Sequence, residues 1–237
     1  MPVLSAALSD IGRKRAANED CFALDEELGV FVVADGLGGH VAGRTASETA
    51  VEEFIARMRV AGELCLGDMR AAVRSANNAI LDRVREVPYL RGMGTTLAGL
   101  RIGGDLARFV HIGDSRIYLL RGQDLHLLTL DHSYVCELVF RRRMSAASAR
   151  VHPNRHVITR ALGVDPPTEP DAGELRLRRG DLFALCTDGI TGAIEDEELR
   201  EIMIAGRNDL PAAVSALVDC ANARGGNDNA TIILVRV

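Results

Sequence analysis

The sequence predicts an α+β fold in which helices cover antiparallel sheets, and the spacing of its apolar residues carries that prediction. Apolar residues recur at helical spacing in two consecutive stretches, 50–58 and 69–84, each with a charged opposite face. Short apolar runs that are typical of strands lie on both sides of these stretches and close the chain. Helix pairs between groups of strands favour one domain over residues 1–237.

Each element follows from the length and period of its apolar run. A β-branched run at 30–34 predicts a buried strand before the two helices. Tight turns at Gly103-Gly104 and Arg121-Gly122 make the next strands antiparallel. An arginine run, several alanines and a proline indicate a helical or irregular insertion at 130–160. In chain order, the remaining predictions are strands at 95–102, 106–112, 117–120 and 182–186, helices at 195–205 and 210–223, and a strand at 231–235.

Composition and charge exclude several classes of protein. Of the 237 residues, 47% are hydrophobic and 26% are charged, which supports a sizeable core and a soluble surface and excludes a disordered chain. The formal charge of −5, with 4% aromatic residues and no tryptophan, gives a poor surface for nucleic acid. Five scattered cysteines form no CxxC pair, and no signal peptide or membrane-length apolar run is visible. We expect a monomeric protein of the reducing cytoplasm that binds neither nucleic acid nor membrane.

Five aspartates stand where strands begin or end, next to glycines or turn-forming residues. For any one of them, capping a turn is the simpler interpretation, because aspartate favours such positions. Together they would repel one another, and burying even one unpaired carboxylate costs free energy. A site rich in oxygen and poor in histidine and cysteine suits a hard divalent cation such as Mg²⁺ or Mn²⁺. The aspartates are Asp20, Asp35, Asp114, Asp188 and Asp228.

A series of short motifs runs along the chain from about residue 9 to residue 235, and their order is more specific than any one of them. They are Arg15-Ala16-Ala17-Asn18-Glu19-Asp20, Val33-Ala34-Asp35-Gly36-Leu37-Gly38-Gly39-His40, Gly94-Thr95-Thr96, Gly113-Asp114-Ser115-Arg116, Asp131-His132-Ser133, Ile158-Thr159-Arg160-Ala161-Leu162-Gly163, Thr187-Asp188-Gly189 and Asp228-Asn229-Ala230-Thr231. In this order the series resembles the metal-dependent serine/threonine protein phosphatases of type 2C, the PPM family, in their compact bacterial form.

The resemblance implies a four-layer αββα sandwich, in which two antiparallel sheets lie between helix pairs. It also implies two Mn²⁺ or Mg²⁺ ions at the ends of the sheets. By resemblance, Asp35 bridges the two ions, and the backbone carbonyl of Gly36 binds one of them. Asp188 and Asp228 bind the other ion, and Asp20 holds metal-bound water molecules.

The resemblance further implies how a phosphomonoester is hydrolysed. Arg15 grips the substrate phosphate, for which the planar guanidinium offers paired donors. The metal ions lower the pKa of a bridging water, and the resulting hydroxide attacks phosphorus without a covalent phosphoenzyme. His40 is the candidate general acid for the departing serine or threonine oxygen, with a structural hydrogen bond as its alternative role. For Arg15 the alternative is a solvated charge beside Arg13 and Lys14.

A third metal site is expected on Asp114 and Asp188, because members of this family often bind a looser ion there. Many of them carry a further aspartate four residues after the one in the Thr-Asp-Gly motif. Gly192 occupies that position in this chain. The missing carboxylate predicts a weak third site or one filled only at high metal concentration. The alternative role for Asp114 is to fix its own turn.

Residues 134–154 correspond to the flap segment of this family, which lies beside the active site. Its Arg141-Arg142-Arg143 run is either solvated or attracts acidic phosphopeptides or a partner. The expected partners are phosphoserine and phosphothreonine proteins and a cognate serine/threonine kinase. Two alternatives remain open: a binding module that keeps the fold without the chemistry, and a metal-dependent nuclease or phosphodiesterase.

Overall fold

The computed structural model describes residues 3–39, 41–61, 65–164 and 169–237. Its strands, numbered in chain order, are β1 (Leu4–Asp10), β2 (Asp20–Asp25), β3 (Val30–Leu37), β4 (Gly94–Thr95), β5 (Leu97–Gly103), β6 (Leu106–Ile112), β7 (Arg116–Arg121), β8 (Asp124–Leu127), β9 (Asp171–Arg176), β10 (Leu182–Cys186) and β11 (Ala230–Arg236). Its helices are α1 (Val41–Val60), α2 (Leu66–Glu86), α3 (Tyr134–Phe140), α4 (Ala146–Arg150), α5 (Asp188–Thr191), α6 (Asp196–Ala205) and α7 (Leu210–Ala223), with a short 3-10 turn at Pro88–Leu90.

The strands form two sheets, and their neighbouring strands pair antiparallel throughout. The first sheet has the order β1-β11-β10-β7-β8. The second has the order β2-β3-β5-β6-β9, and the short β4 pairs with β3. Because an antiparallel pair places the start of one strand beside the end of its neighbour, residues from distant parts of the chain meet at one edge.

Three apolar clusters separate four layers. Along β3, Val30 and Val32 face a cluster that contains Phe54 of α1, whereas Phe31 and Val33 face a cluster shared with the other sheet. The first sheet is covered on its outer face by a cluster that includes residues of α6 and α7. The order of layers is therefore helices, sheet, sheet, helices, and the αββα prediction is confirmed. Burial on both faces explains why β3 is apolar at each position from Val30 to Ala34 instead of alternating.

The boundaries depart from the predictions in a few places. The strand predicted at 30–34 continues to Leu37, so Asp35 lies inside β3, opposite Asp20 of β2. The strands β1, β2, β8 and β9 were not predicted. Of these, β8 and β9 are short and partly polar, and they are set by pairing with β7 and β6. The helix predicted at 210–223 begins where expected: Pro211 lies in its first turn, and the Asp209 side chain accepts from the Ala212 N–H at 3.1 Å.

The predicted insertion contains α3 and α4, which lie in the flap segment at 134–154. The segment is fixed at its base, where the Tyr134 N–H donates to the Val157 carbonyl at 2.8 Å. The Ser133 side chain caps α3 by accepting from the Cys136 N–H. Across the described residues, none of the helices combines the length and the apolar character that a membrane span requires.

Candidate metal centre

Five aspartates meet where the two sheets end on the same side of the sandwich. Asp20 begins β2 and faces Asp35 across the β2–β3 pair. Asp114 follows β6 after one glycine, Asp188 begins α5 just after β10, and Asp228 stands two residues before β11. The structure thus brings together the five carboxylates that the sequence singled out, and each of them is partly buried.

Crowding and burial make charge at this site costly. Burial raises the pKa of the Asp35 carboxyl well above its ordinary value, and Asp20, Asp188, Asp114 and Asp228 raise it further. Burial likewise raises the pKa of Asp20 and of Asp114 to about 7. Carboxylates that repel one another in this way are stabilised by a bound cation.

Three carboxylate oxygens of this cluster are buried and have no hydrogen-bond partner among the described residues: Asp20 Oδ1, Asp114 Oδ1 and Asp188 Oδ1. A buried acceptor without a donor costs free energy unless something else satisfies it. A hard divalent cation prefers oxygen ligands of this type, so the residues present fit Mn²⁺ or Mg²⁺.

Two threonine hydroxyls hold Asp20 in place. Thr187 Oγ1 donates to Asp20 Oδ2 at 2.8 Å, and Thr231 Oγ1 donates to the same oxygen at 2.6 Å. Thr187 follows β10 and Thr231 lies in β11, so both hydroxyls come from the first sheet, whereas Asp20 belongs to the second. The sequence did not predict these roles, although both threonines lie in motifs of the phosphatase series.

The backbone at Asp35 and Gly36 is fixed by close packing. The Asp35 carbonyl accepts from the Thr96 N–H at 2.9 Å and from Thr95 Oγ1 at 2.8 Å. A Cβ atom added at Gly36 would lie 2.2 Å from the Gly43 carbonyl oxygen. Only glycine fits at this position, because the backbone of Gly43 fills the space that a side chain would need.

Arg15 reaches the same edge from the loop between β1 and β2. Its Nη2 donates to Asp228 Oδ2 at 2.5 Å, and 47% of its side chain is exposed. Burial lowers the pKa of Arg15, but the hydrogen bond and charge of Asp228 outweigh it, and the pKa is raised. Asn229 braces this loop: its side chain accepts from the Glu19 N–H and donates to the Ala17 carbonyl. The backbone N–H of Asn229 donates to Asp228 Oδ1 at 2.9 Å.

His40, the predicted general acid, lies outside the described residues.

A second group of potential ligands, His111, His132 and Asp171, has ligand atoms within 4.8 Å of one another. Its hydrogen bonds suit a brace better than a metal. His132 Nδ1 accepts from the Gly113 N–H at 3.1 Å, so the ring proton stays on Nε2, which faces Asp171 at 3.1 Å. Arg160 Nη1, 2.8 Å from that Nε2, adds a positive charge.

Comparison with known proteins identifies the family. The family model described as "Protein phosphatase 2C" matches residues 12–229. The chain belongs to the protein phosphatase 2C family. It is 36% identical over 236 residues to the protein phosphatase PhpP of Streptococcus pneumoniae, which covers 96% of this chain and 95% of that one. Family membership makes the chain a metal-dependent serine/threonine protein phosphatase.

Solved structures agree with the fold and with the metal dependence. The crystal structure of the serine/threonine phosphatase PstP/Ppp of Mycobacterium tuberculosis has a TM-score of 0.92 and 36% identity, over 99% of this chain and 98% of that chain. The PstP catalytic domain in complex with two manganese ions has a TM-score of 0.90 and 34% identity, over 99% and 97% of the two chains. Full-length PstP is longer, and this chain spans 44% of it.

Proposed function

We propose that this phosphatase hydrolyses phosphoserine and phosphothreonine monoesters of proteins with two Mn²⁺ or Mg²⁺ ions. Asp35 and the Gly36 carbonyl hold one ion, and Asp35, Asp188 and Asp228 hold the other. The observation that carries this proposal is the meeting of five aspartates at one edge, with unpaired oxygens on three of them. When bound, two such ions lower the pKa of a shared water so that it becomes a nucleophile near neutral pH.

The side chains around the ions divide the remaining work. The Arg15 guanidinium binds the substrate phosphate, since half of its side chain is open to solvent and its other partner is Asp228. Asp20, held by two hydroxyls through Oδ2, offers Oδ1 to orient water. His40 gives a proton to the departing oxygen in this proposal.

A thiol nucleophile is not part of this proposal. Burial raises the pKa of the Cys21 thiol to about 11 and that of the Cys186 thiol to about 12. A thiol with so high a pKa carries little thiolate at neutral pH. Neither of these two thiols is therefore suited to attack phosphorus, which favours direct attack by water over a phosphocysteine intermediate at either residue.

A weak third ion is proposed on Asp114 and Asp188. Asp114 Oδ1 and Asp188 Oδ1 both lack a partner among the described residues, which supports a ligand there. Gly192, one turn after Asp188, contributes only a backbone N–H to the Asp188 carbonyl. With one carboxylate fewer, we expect this site to fill only at high metal concentration.

The cellular setting is also a proposal. We infer that residues 1–237 act as one catalytic domain, monomeric and cytoplasmic. Its partners are phosphoserine and phosphothreonine proteins and a cognate serine/threonine kinase. The −5 charge supports a protein substrate over nucleic acid.

The test compares three substrates with Mn²⁺ and with a chelator: p-nitrophenyl phosphate, a phosphothreonine peptide and the diester bis-p-nitrophenyl phosphate. We expect Mn²⁺-dependent hydrolysis of both monoesters and a much lower rate on the diester. A pure protein that is inert on all three with Mn²⁺ would support the binding module. A faster rate on the diester than on the peptide would support the nuclease.

A further inference from the structure

The flap segment carries positive charge in an acidic protein. Residues 134–154 contain four arginines and one glutamate, whereas the whole chain has a formal charge of −5. Three of these arginines are consecutive, and all three are exposed. Arg141 lies 3.5 Å from Glu137, but neither Arg142 nor Arg143 forms an ion pair with a described residue. These two side chains are free to meet a ligand.

Arg142 occupies a backbone position that normally belongs to glycine. Its φ is 54°, and it is the one non-glycine residue with positive φ in the described part of the chain. Its N–H donates to the Val139 carbonyl at 2.9 Å, and the Arg143 N–H donates to the Leu138 carbonyl at 2.8 Å. This is the Schellman ending of a helix, in which glycine avoids the strain of a side chain. Strain of this kind is retained where the side chain has a function.

The base of the flap segment contacts the loop that carries Asp114, and this contact limits how far the arginines can lie from the metal centre. The His132 N–H donates to the Gly113 carbonyl at 2.8 Å, and Asp114 is the next residue. Helix α3 begins two residues after His132. Its seven residues rise about 10 Å, a distance that about three extended peptide residues span.

We propose that Arg142 and Arg143 dock acidic residues that flank the phosphorylated residue of the substrate, about three to five positions away. This inference rests on the proposed function and narrows its substrates to phosphoproteins with acidic flanks. Charge complementarity supports it, because the two unpaired guanidiniums offset the repulsion that a chain of −5 exerts on an acidic peptide. Phe140, with 77% of its surface exposed, adds an apolar contact beside them.

The experiment uses two phosphothreonine peptides that differ only by glutamate or glutamine at positions three to five on both sides. The measured quantity is the ratio of kcat/KM between the acidic and the neutral peptide, with Mn²⁺. We expect a ratio well above one for the wild type, with each arginine contributing about two- to fivefold. The ratio should fall towards one as salt screens the contact.

Arg142→Gly separates this role from a structural one, because glycine relieves the strained backbone. The ratio should fall about two- to fivefold, while the Tm stays the same or rises. Arg142→Lys should keep part of the ratio. The matched control is Arg179→Ala, an exposed arginine in the turn before β10, at the end of that strand remote from Asp188. It should leave the ratio unchanged.

Two results would overturn the inference. The inference is contradicted by a wild-type ratio near one or by an unchanged ratio in Arg142→Gly. In either case, hydrolysis of the peptides would still support the proposed function. Failure of the wild type to hydrolyse either peptide or p-nitrophenyl phosphate with Mn²⁺ refutes the proposed function, and this inference with it.

Discussion

Burial and the other four aspartates of the cluster raise the pKa of the Asp35 carboxyl. Replacing Asp35 with asparagine keeps the shape of the side chain but removes its charge and half of its capacity to bind a metal. We expect Asp35→Asn to lower Mn²⁺-dependent hydrolysis of p-nitrophenyl phosphate by at least about a hundredfold. Loss of a residue that only hydrogen-bonds to a metal ligand costs up to about a hundredfold, and loss of a ligand itself should cost at least as much. Without metal, its Tm should exceed that of the wild type, because burial and four neighbouring acids raise the Asp35 pKa.

The control for this substitution is Asp105→Asn. Asp105 is exposed in the turn between β5 and β6, at the opposite end of β6 from Asp114. It should change neither the rate nor the Tm. Full activity of Asp35→Asn would remove this residue from the metal centre.

Arg15 differs from the aspartates because its proposed task is to bind substrate. Arg15→Ala should raise KM about ten- to a hundredfold with a smaller effect on kcat, since one charge-assisted contact is worth about 1.5–3 kcal/mol. Steady-state kinetics on a phosphothreonine peptide measure the split. Arg13→Ala, two residues away and also exposed, is the control. Unchanged kinetics in Arg15→Ala would mean that another group binds the phosphate.

At the scale of single residues, the sequence predicted the aspartates of the metal centre but not the residues that hydrogen-bond to them. Asp20, Asp35, Asp114, Asp188 and Asp228 were predictable because each stands near a glycine or turn former, next to a short apolar run. The hydroxyls that hold Asp20 were not, because threonine in a strand is usual and the bond joins residues 211 positions apart. Only the closing of the two sheets upon each other makes that contact.

At the scale of elements, His132 connects the flap segment to the loop that carries Asp114. Its Nδ1 accepts from the Gly113 N–H, and its Nε2 faces Asp171. His132→Asn places an oxygen near the position of Nδ1, whereas His132→Gln reaches only towards Nε2. We expect Gln to be the more damaging, because the buried Gly113 N–H then lacks an acceptor, which costs about 1–3 kcal/mol.

The two variants are compared by thermal unfolding and by kcat/KM. The Tm of His132→Gln should lie about 2–4 °C below that of His132→Asn for each kcal/mol. Its kcat/KM should also be lower, since the loop before Asp114 loses a fixed contact. Equal behaviour of both variants would show that the bond to Gly113 does not position the loop.

His111, in β6, makes a pH-dependent contribution to the free energy of unfolding. It is 1% exposed, and burial lowers its pKa to about 4, helped by His132 and opposed by Asp131 and Asp171. A folded-state pKa below the ordinary 6.5 means that the unfolded chain binds more protons between these values. The contribution of His111 is therefore complete above pH 6.5 and is lost as the pH falls towards 4.

Unfolding in urea at pH 7.5 and at pH 5 tests this. On acidification, the free energy of unfolding of the wild type should fall by about 1–2 kcal/mol more than that of His111→Gln. Glutamine retains an N–H near the position of His111 Nε2, which contacts the Gly113 carbonyl at 2.8 Å. Parallel losses in both proteins would contradict a neutral, buried His111.

The elements that the sequence missed show why some strands cannot be found from pattern alone. The six residues of β9 include a glycine and three charged residues. Only pairing with β6, from Leu106 opposite Arg176 to His111 opposite Asp171, defines the strand. By contrast, β10 was predicted over its whole length, because all five of its residues are apolar and buried.

At the scale of the whole molecule, the metal centre joins both sheets. Asp20 and Asp35 belong to the second sheet, whereas Asp188 and Asp228 flank strands of the first. The unfolded chain cannot hold these residues together, so a cation that binds them stabilises only the folded state. The layer order was predictable from the sequence, but the distances among these acids depend on how the two sheets pack.

Adding Mn²⁺ at a hundred times its dissociation constant should therefore stabilise the fold by about 2.7 kcal/mol. For a chain of this size that raises the Tm by about 5–10 °C. Thermal unfolding with Mn²⁺ and with a chelator measures the shift, which the chelator should reverse. Asp35→Asn should show a smaller shift, because one shared ligand is lost, and Asp105→Asn should show the full shift. If Mn²⁺ left the Tm of the wild type unchanged, the aspartates would not form a metal centre, since binding across both sheets must stabilise them together.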